Sequence, residues 1–237
     1  MKAAIANGAT IWSSSSLYGT PPEGPTAGLT LLRWYFEKYP EDAPKVTLFI
    51  RACLDANTLS CTNTRAGKAH AICPLTVVEV VFSLWSIDIL TNGVAATCKE
   101  LAVPILAYAP LGYGFLSGRV KKVEDIAEGD MRRMLSRFQP ENFDKNLELV
   151  AKIRTFAKQR DVSPAQLALA WIRGHSNTGN CGVIIPIPGA TAAERVEENC
   201  NEVSLSVEEK EELDSILASF KVSGGRQIDA LEHQLWG

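Results

Sequence analysis

Strands alternating with helices along most of the 237 residues predict an α/β fold built from parallel β/α units. Two patterns carry this expectation. Five short apolar runs, at 9–12, 46–50, 76–82, 104–108 and 182–186, have the length and β-branched content of buried parallel strands. Between them lie stretches with apolar residues at helical spacing, such as Leu149, Val150, Ile153, Phe156 and Ala157. A complete (β/α)8 barrel has eight strands and about 250 residues. Five strands therefore predict an incomplete (β/α)8, TIM-barrel-like arrangement, taken as one domain over residues 1–237.

The elements follow in order. Residues 2–7 are an Ala-rich helix with Gly8 as a left-handed cap. Strand 9–12 leads into Ser13-Ser14-Ser15-Ser16-Leu17-Tyr18-Gly19-Thr20-Pro21-Pro22, a loop by composition. Residues 29–39 are helical and stop at Pro40, before strand 46–50. Residues 52–66 have no clear period, and 64–72 suit one or two helical turns. A helix at 90–101 separates strands 76–82 and 104–108, and 112–141 is a long loop with a short helix. Helices follow at 143–159 and from Ser163-Pro164, a cap and a first-turn proline, to Arg173. After strand 182–186 come helices at 192–200 and, behind the capping box Ser206/Glu209, to about residue 218.

Composition excludes several classes. Hydrophobic residues make up 46%, charged residues 22%, and the net charge is −3 without a basic stripe, which argues against nucleic-acid binding. Glu79 breaks the apolar run 75–87, and two prolines and two glycines break 181–193, so a membrane span is not expected. The first residues carry too short an apolar stretch for a secretory signal. Six cysteines lack a Cys-x-x-Cys pair and three histidines are scattered, which gives no metal pattern. Reduced thiols in the cytoplasm are the expectation.

Four segments carry a resemblance. They are Asn7-Gly8-Ala9-Thr10-Ile11-Trp12 with Tyr18-Gly19-Thr20-Pro21; Val78-Glu79-Val80-Val81-Phe82-Ser83-Leu84-Trp85-Ser86; Leu106-Ala107-Tyr108-Ala109-Pro110-Leu111-Gly112 onward to Gly118; and Ile185-Pro186-Ile187-Pro188-Gly189-Ala190-Thr191 with Arg195, Glu198 and Asn199. Their order and spacing resemble the NADP-dependent aldo-keto reductases, closest to the fungal pyridoxal-reductase-like branch. The resemblance implies NADP(H) as cofactor, a small-molecule carbonyl substrate, and reduction of an aldehyde or ketone, pyridoxal-like compounds included.

It also implies roles. Tyr18 matches the family's proton-donating tyrosine, whose reference pKa near 10 needs charged neighbours to act near neutral pH. Ser13 stands where the family has an aspartate, and Arg51 at the lysine position keeps the charge but cannot share a proton. No residue matches the family histidine. Tyr108 matches the tyrosine that stacks on the nicotinamide. Ala109, Pro110, Leu111 and Gly112 match the loop around the pyrophosphate. Glu79 matches a glutamine that holds the carboxamide, although an ionised glutamate cannot donate. Pro188 and Gly189 match a turn before a helix whose Arg195 suits the 2′-phosphate, with Glu198 and Asn199 at the adenine contacts.

Two departures shape the expectation. The family's first strand and helix precede the segment found here at residue 2, and about ten residues between Asp55 and Thr64 stand in place of its fourth and fifth strands. His70 is read as an ordinary helix histidine. These departures keep a second class open: a catalytically impaired NADP-binding regulatory pseudoenzyme, or a truncated gene product. Missing strands also imply self-association through open barrel edges.

Overall fold

The computed structural model describes residues 1–15, 27–51, 75–226 and 228. Within them the strands are β1 (Ile11–Ser15), β2 (Thr47–Arg51), β3 (Val78–Val81), β4 (Ile105–Tyr108) and β5 (Ile184–Pro186). The helices are α1 (Lys2–Ala6), α2 (Ala27–Lys38), α3 (Val94–Glu100), α4 (Pro140–Gln159), α5 (Pro164–Arg173), α6 (Ala193–Cys200) and α7 (Val207–Ala218). All five expected strands form, and every strand pair is parallel. The loop expected from Ser13 is instead strand as far as Ser15, where pairing with β2 overrides the serine-rich composition; its remainder around Tyr18, the joint between Asp55 and Thr64, and the turns at 64–72 with His70 lie outside the described residues.

The chain divides into two compact units. The first holds the described residues of Met1–Leu59 with Ala190–Asn201. In it β1 pairs with β2, Ile11 opposite Thr47 and Ser15 opposite Arg51. Gly8 takes φ +74°, the left-handed cap expected from sequence. Trp12 packs its ring on α2, edge-on to Tyr35 at 5.5 Å and stacked on Phe36 at 5.8 Å. Asp42, 1% exposed, is the polar hub. It accepts from Tyr35 Oη at 2.7 Å and Lys45 Nζ at 2.9 Å, and pairs with Lys2 Nζ at 2.6 Å.

The second unit holds the described residues of Ser60–Gly189 with Glu202–Gly237. Its sheet runs in the order β3-β4-β5, with Val81 opposite Tyr108 and Ile105 opposite Ile184. Successive strand side chains point to opposite faces. One face presents Val78, Val80, Ile105, Ala107 and Ile184, all buried in one core with residues of α3, α4, α5 and α7. The other carries Glu79, Val81, Leu106, Tyr108 and Ile185. Helix α5 is buried on nearly all sides, from Ala165 through Ile172. Ser163 and Gln166 cap it reciprocally, as Ser206 and Glu209 cap α7.

Two expectations need correction. The helix expected at 90–101 starts only at Val94, because Gly93 takes φ +87° and residues 88–90 form a separate 3-10 turn. The loop 112–141 contains no α-helix before Pro140, which takes the first turn of α4; 3-10 turns at Val123–Asp125, Met131–Met134 and Ser136–Phe138 replace it. No helix among the described residues is long and apolar enough to cross a membrane.

Candidate active site

Strand β4 delivers Tyr108, half-buried, to the end of its sheet. The chain then turns sharply: Ala109 takes φ +47° and Gly112 φ +56°. The turn is closed by Gly112 N–H donating to the Ala109 carbonyl at 2.9 Å, with Gly114 N–H and Leu116 N–H both on the Leu111 carbonyl at 3.0 and 3.2 Å. The N–H groups of Ala109 and Leu111 have no acceptor among the described residues. Two N–H groups left over on a tight arc beyond a strand are suited to anionic oxygens.

Gly112 is dictated by its surroundings. A Cβ there would lie 2.6 Å from Trp85 Nε1. The indole cannot withdraw, since Trp85 is 4% exposed and stacks on Phe115 at 4.7 Å. Arg137 adds a second anchor: its Nη1 donates to the Trp85 carbonyl at 2.6 Å and to Ser86 Oγ at 2.7 Å, and its guanidinium lies 5.2 Å from the Trp85 ring. Beside this turn is a narrow crevice with room for about one water, lined among others by Trp85, Tyr108, Tyr113, Arg137 and Arg226. Among the described residues its lining carries two guanidinium groups and no carboxylate.

The second unit thus brings Glu79 and Tyr108 onto one face of adjacent strands, two rungs apart in register. Both Glu79 carboxylate oxygens are buried. Pro188 and Gly189 follow β5. Gly189 has open space where a Cβ would be and is not left-handed, so no tight glycine turn exists there, contrary to the reading of the sequence.

In the first unit Arg195, exposed, sits in the first turn of α6, where its Nη1 donates to Thr191 Oγ1 at 3.3 Å. Glu198 lies one turn on and is half-buried, while Asn199 is 8% exposed. Ser13 is on β1, its Oγ buried with no hydrogen-bond partner among the described residues. Arg51 ends β2 opposite Ser15. Tyr18 lies outside the described residues.

Sequence reasoning did not single out Tyr113, Arg137 or Arg226 for this crevice. Arg137 meets Trp85 across 52 positions, a separation that leaves no local signal.

Comparison with known proteins now bears on this geometry. The profile of the aldo/keto reductase family matches residues 56–218, more than half the chain. The chain belongs to this family. A Schizosaccharomyces pombe protein named probable pyridoxal reductase 2 is 30% identical over 99% of this chain and 89% of its own length. The aldo-keto reductase yakc of the same yeast, whose name specifies NADP(+), is 34% identical over 81% of this chain. Only 59% of that relative is covered. The glycerol dehydrogenase AKR11B4 of Gluconobacter oxydans has a similar fold, with TM-score 0.56 at 19% identity over 89% of this chain and 58% of that one. The parallel β/α units described above are those of an incomplete (β/α)8 barrel. The resemblance found in the four sequence segments is therefore one of membership, and its pyridoxal-reductase-like flavour agrees with the yeast relative.

Proposed function

We propose that this chain is an NADP-dependent oxidoreductase that reduces an aldehyde or ketone, pyridoxal-like compounds being the first to try, with Tyr18 as the proton donor. Family membership and the names of the two yeast relatives support this reading. The observation that carries it is the Ala109–Gly112 turn, with two N–H groups lacking an acceptor directly after Tyr108. When bound, NADPH supplies the hydride.

The rest is work for the chain's own residues. Tyr108 offers a flat aromatic face for a planar ring, and Glu79 an acceptor for an amide N–H on the same sheet face. Ala109, Pro110, Leu111 and Gly112 wrap the pyrophosphate. Pro188 and Gly189 lead to Arg195, a planar fork for the 2′-phosphate, with Glu198 and Asn199 for the adenine. At the carbonyl end Tyr18 gives a proton to the oxygen. Arg51 favours the ionised phenol through its charge, and Ser13 supplies a hydroxyl where a carboxylate would tune more strongly. The free thiols of Cys98, Cys181 and Cys200 fit a cytoplasmic protein, and strand edges unpaired among the described residues favour self-association.

The test is NADPH oxidation with a reactive aromatic aldehyde. General acid catalysis contributes about 10²–10⁴-fold, so a poorly tuned tyrosine leaves turnover low. Tyr18→Phe is expected to remove most of it. Robust turnover that survives Tyr18→Phe unchanged rules out the assigned proton donor.

A further inference from the structure

Beyond β4 the chain passes through Gly112, Tyr113 and Gly114, three successive residues at φ +56°, +55° and +87°. Glycine adopts this conformation freely, but a residue with a Cβ does so under strain. What holds Tyr113 there comes from 19 residues further along: Arg132 Nη1 donates to the Tyr113 carbonyl at 3.0 Å. The other edge of the same guanidinium is clamped by Asp130, Nε to Oδ1 at 3.0 Å and Nη2 to Oδ2 at 2.7 Å. Asp130 Oδ1 also accepts the Arg132 backbone N–H at 2.9 Å, which fixes the carboxylate before it fixes the guanidinium. Both side chains are about three-quarters buried. The hydrogen bonds from the Arg132 guanidinium hold the Asp130 carboxyl below its usual range.

This clamp grips the turn at Tyr113, one residue beyond the glycine that Trp85 packs against. The indole blocks any side chain at Gly112, and Arg132 ties down the next carbonyl. Between them they restrain the arc from Ala109 to Tyr113 at its last two residues. The same tie sets where Tyr113 enters the crevice wall beside Tyr108.

We propose that Arg132, oriented by Asp130, is a positioning residue for the dinucleotide turn: it fixes the Tyr113 carbonyl so that the Ala109 and Leu111 N–H groups keep the arc needed for a pyrophosphate. The inference rests on the cofactor reading above. It assigns Arg132 no contact with the ligand. Its charge is consumed by Asp130, so its effect is carried by geometry.

The experiment measures binding of NADPH and of adenosine 2′-monophosphate, which carries the 2′-phosphate but no pyrophosphate. Arg132→Ala is expected to weaken NADPH about tenfold, the scale of one charge-assisted hydrogen bond, and to leave the fragment within about twofold. Arg132→Lys restores one donor and should recover part of the loss. Arg195→Ala, the contrast, should weaken both ligands. If Arg132→Ala does not fold, Asp130→Asn, which keeps an acceptor and removes the charge, must show the same selective loss in smaller degree. Unchanged NADPH affinity, or equal loss of both ligands, overturns the positioning role. A wild-type protein that binds neither ligand overturns the cofactor reading itself, and the positioning role with it.

Discussion

Gly112 shows how a single atom can be forbidden. Its backbone is left-handed and its missing Cβ is occupied by the Trp85 indole. Gly112→Ala therefore meets two costs at once, a strained φ and a ring that Phe115 prevents from moving. Together these are worth roughly 1–3 kcal/mol. The expected outcome is a melting midpoint lower by several degrees and weaker NADPH binding, because the displaced turn is the one that follows Tyr108 and is proposed to hold the pyrophosphate. A melt and a cofactor titration check it; an alanine variant with wild-type values for both would show that Trp85 yields easily.

Elements are tied to one another by polar hubs as much as by apolar contact. Asp42 joins three of them: Lys2 from α1, Tyr35 from α2 and Lys45 from the turn before β2. Buried at 1% exposure, its carboxyl is held well below the usual range, by Lys2 first and then by the Tyr35 hydroxyl and Lys45. Tyr35 is correspondingly pushed up to about 12, by burial first and then by its bond to Asp42. Asp42→Ala leaves a buried hydroxyl without its acceptor, a loss of about 1–3 kcal/mol. Tyr35→Phe, which removes the hydroxyl and keeps the ring, should cost less. Chemical denaturation of both variants ranks them, and the reverse order would mean that the buried carboxylate loses more without the hydroxyl than the hydroxyl loses without the carboxylate.

At the scale of the whole molecule, stability should depend on pH through His175. The imidazole is 8% exposed, packed edge-on to Phe82 and to Trp171 at centroid distances of 5.5 and 4.4 Å. Asp214 lies nearby, its Oδ1 4.0 Å from Nε2, but that carboxylate is already engaged by Trp171 Nε1 and Lys210 Nζ, each at 2.7 Å. Burial first, and then the Lys210 charge, lower the His175 pKa to about 4. The folded chain thus resists a proton that the unfolded chain accepts near pH 6.5. This contribution is fully present above pH 6.5 and is lost as pH falls toward 4, by at most about 3 kcal/mol. His175→Leu should flatten the decline in stability between pH 6.5 and 4. A variant that declines as steeply as wild type would place the acid sensitivity elsewhere.

Local signals were legible because local chemistry produces them. The capping boxes at Ser163 and Ser206, the left-handed Gly8 and the five strands depend on residues within a few positions of each other. The motif from Leu106 to Gly112 marked the turn proposed to hold the cofactor for the same reason. Where the pattern misled, a backbone angle had overridden it: apolar spacing ran through 90–101, but the left-handed Gly93 delays the helix to Val94. Gly189 misled in the opposite sense, being a glycine whose backbone needs no glycine. The sequence by itself thus determined the parallel β/α class, the family and the positions of most elements. Tertiary structure alone decided which distant groups meet: Arg137 with Trp85, Lys2 with Asp42, Arg132 with the Tyr113 carbonyl. Their separations of 52, 40 and 19 residues have no period to read. Such pairs form only after packing brings their elements together and burial has removed the water that would otherwise take either partner's place.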